Sequence, residues 1–61
     1  ENPVMENYVR TIAKRVALQG NKISKRTMRA KCFELVQMGD IPTELKDEIY
    51  LYINENCPGE K

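Results

Sequence analysis

The sequence predicts an all-α fold, a small three-helix bundle, on three observations. Apolar residues recur at helical spacing in three separate stretches. Each stretch opens on a capping residue or a proline, and the first two end at a glycine. No stretch alternates polar and apolar residues in the way a half-buried strand does, and no internal repeat is present. The helices are expected over about residues 3–19, 24–38 and 43–56. They form one domain, residues 1–56, followed by a polar tail, 57–61. Sixty-one residues leave room for a single modest core, since a chain of this size buries only about 60% of its unfolded surface.

The first helix opens at Asn2-Pro3, with Asn2 as cap and Pro3 at the first helical position, where a missing N–H is no loss. Met5, Tyr8, Val9, Ile12, Ala13 and Val16 make its apolar stripe. Glu6, Arg10 and Lys14 stand at i, i+4 and i+8 on another side, acid first, the favourable order. Gly20-Asn21 ends the helix and leaves a short link, so the second helix must pack beside or across the first.

The second helix carries the strongest start signal. Ser24 reads as its N-cap, and Ile23 and Met28 stand at the N′ and N4 positions of a hydrophobic staple. Met28, Cys32, Leu35 and Val36 share one face, and Gly39 stops the helix. Lys25 and Arg26 fall in its first turn, where the helix dipole is already positive and each cation costs roughly 0.3–1 kcal/mol. Two cations beside free N–H groups suit an anion such as phosphate. Arg29 and Phe33 extend this as an outward stripe, with Arg26 and Gln37 on its edge. The third helix begins around Pro42-Thr43, with Glu44, Asp47 and Glu48 near its start, and turns Leu45, Ile49, Tyr52 and Ile53 inward. Leu51 points the other way, among Glu44, Glu48 and Glu55, as an exposed apolar group.

The net charge of +1 conceals a segregation. Residues 10–31 hold eight cations and no acid, whereas residues 32–61 hold seven acids against Lys46 and Lys61. Such a chain either offers a basic face to nucleic acid or folds its two halves onto each other in mutual neutralisation.

Two cysteines and no histidine exclude Cys₄ and Cys₂His₂ zinc sites built from this chain alone. Both thiols read as unpaired, with a Cys32–Cys57 disulfide open only to a tail folded back over the second helix. No cofactor or metal is implied. Without histidine, a glycine-rich phosphate loop or a base beside either thiol, the chain is read as no enzyme and as having no small-molecule substrate. No apolar run approaches the ~20 residues that span a bilayer, and no signal or transit pattern opens the chain. The expectation is a soluble cytoplasmic protein without a membrane partner.

Ile23-Ser24-Lys25-Arg26-Thr27-Met28-Arg29, followed by Cys32, Leu35, Gly39 and Ile41, resembles the recognition-helix half of helix-turn-helix and winged-helix DNA-binding domains, commonly written I-S-x-x-T-[VI]-x-R…L…L…G-x-[IV]. The likeness covers about residues 23–41. It stops short of a wing, because Pro42 opens a helix where a winged domain continues into a β-hairpin, and Asn21 stands where the family usually has an apolar residue. The resemblance implies that Ser24 and Thr27 bond phosphates while Lys25, Arg26 and Arg29 reach backbone or base edges. Adding the cations of the first helix and link, the expected nucleic-acid-binding set is Arg10, Lys14, Lys22, Ser24, Lys25, Arg26, Thr27, Arg29 and Phe33. DNA or RNA is the expected partner. The alternative is a protein-interaction module, anchored either on the basic face, which suits an acidic partner or the acidic helix of a second copy of the chain, or on the exposed Leu51 of the acidic face.

Overall fold

The computed structural model describes residues 2–59. Its elements are α1 (Pro3–Leu18), α2 (Lys25–Gln37), a single 3₁₀ turn (Thr43–Leu45) and α3 (Lys46–Asn56), with no strand among the described residues. The three-helix bundle predicted from the sequence is the observed fold.

The helix ends follow from local chemistry. The Asn2 side chain accepts the Met5 N–H at 3.3 Å. Ser24 Oγ accepts the Thr27 N–H at 3.2 Å, and Thr27 Oγ1 in return accepts the Ser24 N–H at 2.9 Å. This is a capping box with threonine in the place usually taken by Glu or Gln. The C-termini of α1 and α2 are Schellman motifs. Gly20 donates to Ala17 O and Asn21 to Val16 O, while Gly39 donates to Val36 O and Asp40 to Leu35 O. Gly20 and Gly39 sit at φ 77° and 83°, a region that L-residues enter only at a cost. The third helix differs slightly from expectation, since its first turn is wound as 3₁₀ after Pro42 before the α-helix proper begins at Lys46.

Met5, Ile12 and Val16 from α1, Met28, Cys32 and Leu35 from α2, Ile41 from the link and Ile49 and Ile53 from α3 form one core. Seven residues of the predicted apolar stripes, Ile12, Val16, Met28, Cys32, Leu35, Ile49 and Ile53, are at most 2% exposed. Ile23 packs against this core from the link, in keeping with its staple position. Helices α2 and α3 run antiparallel: Arg29 near the start of α2 bonds Asn54 near the end of α3, and Phe33 farther along α2 meets Lys46 at the start of α3.

The tail is not a free end over its described part. Pro58 O accepts the Lys25 N–H at 2.9 Å, Gly59 O accepts from Lys25 Nζ at 3.1 Å, and Gly59 lies against Ser24. Residues 57–59 thus fold back over the N-terminus of α2. Glu1, Glu60 and Lys61 lie outside the described residues. Despite this fold-back, Cys32 and Cys57 are both free thiols.

Candidate nucleic-acid interface

The structure separates the expected basic set into three places. Arg10 and Lys14 are exposed on the side of α1 opposite Ile12 and Val16, so they point away from the bundle on their own helix. Lys22, Lys25 and Arg26 gather at the start of α2, Lys22 and Arg26 exposed and Lys25 half-buried under the tail. Arg29 and Phe33 lie along the seam between α2 and α3. Their stripe, expected to face outward, is lined on one side by α3: Arg29 Nη1 donates to Asn54 Oδ1 at 2.6 Å, and Lys46 Nζ stands over the Phe33 ring, 6.0 Å from its centroid.

The two hydroxyls are largely committed to the fold. Thr27 Oγ1 donates its single hydrogen to Lys22 O at 2.7 Å while accepting from Ser24 N. Ser24 Oγ accepts from Thr27 N and is 3.2 Å from Thr27 Oγ1. The first-turn amides are committed too, Lys25 N–H to Pro58 O and Thr27 N–H to Ser24 Oγ, which leaves the Arg26 N–H. Phosphate contact at this end of α2 therefore falls to side-chain cations.

Two residues that the sequence did not single out, Lys46 and Tyr50, belong to the seam. Lys46 Nζ lies 5.8 Å from the Tyr50 ring centroid as well as near Phe33, so one ammonium serves two aromatic faces. Burial pushes the Tyr50 hydroxyl above its ordinary pKa, with the Cys32 thiol and Asp47 adding to the rise and Arg29 opposing it. Asp47 therefore borders the same patch. On the other flank of α2, Lys31 is buried at 7% exposure, and its ammonium bonds Glu34 Oε1 at 2.8 Å. On the helical wheel it stands about 40° beyond Leu35, at the edge of the buried face, so its stem packs as a hydrophobe while its charge is held at the rim. It is the one cation of the basic stretch with a carboxylate partner among the described residues. The expected Glu6–Arg10 helix pair does not form there.

Burial raises the pKa of both thiols above the ordinary cysteine value, and Lys46 beside Cys32 and Lys25 beside Cys57 offset only part of this. At neutral pH both are protonated and poor nucleophiles. Two shallow concavities run along the outer side of α1, one lined by Val4, Asn7, Tyr8 and Thr11, the other by Lys14, Ala17 and Leu18. Neither converges polar groups on a point.

No family model, no curated protein and no solved structure matches this chain. The functional reading rests on its own residues. Among the described residues, no helix is long and apolar enough to cross a membrane.

Proposed function

We propose that this chain is a small nucleic-acid-binding module, of helix-turn-helix-like character, that holds phosphates with the cations at the start of α2. One observation carries the reading. Of the two explanations for the segregated charge, internal neutralisation requires the basic stretch to pair with the acidic half of the chain. Among the described residues the single ion pair is Lys31–Glu34, within α2 itself. Among the described residues, Lys22, Lys25, Arg26 and Arg29 have no carboxylate against them, which leaves their charge available to an outside anion. The likeness of residues 23–41 to a recognition helix points the same way. With Ser24 and Thr27 engaged in the cap, the phosphate contacts are assigned to Lys22, Arg26 and Arg29, with Lys25 joining where the tail lifts. Arg10 and Lys14 add long-range attraction from the far side of α1.

The test is a titration of labelled duplex and single-stranded DNA and RNA at two salt concentrations. About 3–4 phosphate contacts give a slope of log K against log salt of about −3 to −4 on duplex DNA. Absence of affinity for every polynucleotide at low salt rejects the reading. A second reading is favoured by Leu51, 58% exposed on the outer side of α3 beside Glu48 and Glu55. On that reading the α3 face anchors a basic protein partner, and Leu51→Ala abolishes the association.

A further inference from the structure

We propose that the α2–α3 seam is a platform for single-stranded nucleic acid, on which a base stacks against Phe33 while Arg26, Arg29 and Lys46 hold the flanking phosphates. The inference rests on the proposed function and names its substrate class.

Phe33 is 48% exposed, on a flank of α2 turned away from its core face. A half-exposed aromatic is ordinary by itself; its surroundings are not. Along one flank of α2 stand Arg26, Arg29 and Phe33, and from α3 come Lys46 and Tyr50, with one ammonium within 6.0 Å of both ring centroids. None of these three cations is paired with a carboxylate among the described residues. Aromatic faces interleaved with unpaired cations are what a flexible strand requires, since every base has a π-face and every nucleotide a phosphate. A duplex uses only half of this arrangement. Its bases are stacked on one another, so its phosphates meet the cations while no base reaches the Phe33 ring.

Scale agrees with chemistry. From Arg26 to Phe33 is about 10 Å along the helix axis at 1.5 Å per residue. Phosphates repeat about every 3.4 Å along a stacked strand, so the flank accommodates on the order of three nucleotides. Asp47 is the unfavourable element, a carboxylate close enough to influence Tyr50 and of the same sign as the ligand.

The experiment measures fluorescence anisotropy of a labelled oligothymidylate and of a duplex of equal length at low salt, with helicity of each variant checked by circular dichroism. Phe33→Ala is expected to weaken single-strand binding about 5- to 150-fold and to leave duplex binding within about twofold. Phe33→Tyr retains the π-face and restores affinity, whereas Phe33→Leu keeps the apolar bulk and does not. Asp47→Asn strengthens binding to both ligands. Single-strand affinity unchanged in Phe33→Ala, or equal in Phe33→Leu and the parent, overturns the platform while leaving phosphate binding by the basic cluster intact. Loss of all polynucleotide affinity in the parent overturns the proposed function itself. Poly-glutamate displacing the oligonucleotide at equal charge concentration makes the seam a site for acidic protein and overturns the platform also.

Discussion

Helices α1 and α2 start with the same kind of device and opposite charge. Asn2 and Ser24 both cap with a side-chain oxygen, yet α1 places Glu6 in its first turn, α3 places Asp47 and Glu48, and α2 places no acid there and two cations. The helix dipole favours the first arrangement by roughly 0.3–1 kcal/mol per charge. The structure shows how α2 offsets the deficit: a reciprocal Ser24–Thr27 box, and two tail carbonyls, of Pro58 and Gly59, laid over its start. Lys25 is thereby explained as a structural cation bonded to the tail. Arg26 has no such partner among the described residues, and its position is the one that stability alone does not account for.

The comparison can be broken at its base, by unseating α2 from the core. Leu35 is 2% exposed and its carbonyl accepts from Asp40 and Ile41 in the C-cap. Leu35→Ala should cost about 2–5 kcal/mol, a large share of what a domain this small possesses. Thermal melting is expected to show a much lowered or absent transition. A variant that melts like the parent contradicts the buried position of this residue.

The next effect is smaller and local. Ser24→Ala removes the acceptor for the Thr27 N–H but keeps Thr27 Oγ1 bonded to Lys22 O and to the Ser24 backbone, and keeps the Cβ against which Gly59 rests. The expected loss is about 1 kcal/mol with the fold retained. Denaturant midpoints at unchanged slope would measure it.

Smaller still in global terms is detachment of the tail. Gly59 has φ 93°, and a Cβ there would stand 2.9 Å from Ser24 Cβ. Gly59→Ala is therefore expected to lift residues 58–59 from α2, at a cost of less than about 1 kcal/mol because the tail can simply release. Hydrogen exchange at the Lys25 amide is the readout. It should accelerate while exchange at core amides of Leu35 and Ile53 stays close to that of the parent.

The three helices and their inward faces were legible because caps, glycines and helical spacing are local signals. Ser24, Gly20, Gly39 and the seven core positions all stand as read. Lys31 was not legible from the wheel alone, since it stands about 40° outside the apolar arc beside Leu35, and its charge argued for the surface. The site was less legible. A helical wheel shows that Arg29 and Phe33 share a flank; it does not show which neighbour lies along that flank. Their pairing with Asn54 and Lys46 depends on the antiparallel course of α3, a contact between residues 13 to 25 positions apart. The docking of Pro58 on Lys25 is likewise set by where α3 ends in space. Polar tails normally read as frayed ends, and nothing in residues 57–59 distinguishes this one.

The smallest stability effect decides the most about function. Arg26 is exposed at the second helical position and makes no bond to protein among the described residues, so Arg26→Glu removes an unfavourable charge at the helix start and replaces it with a favourable one. Stability should hold or rise, by at most about 0.3–1 kcal/mol for each of the two charge changes. Affinity for polynucleotide should move the other way, since a phosphate contact is lost and a repulsion is gained, uniformly across sequences and with a salt slope shallower by about 1. Arg29→Glu is the less clean companion, because it also breaks the bond to Asn54. Melting and binding curves on the same Arg26→Glu sample separate the two roles. A rise in stability together with a fall in affinity marks Arg26 as a cation kept for a ligand, whereas equal binding by parent and variant returns it to the solvated surface and shifts the weight to the α3 face around Leu51.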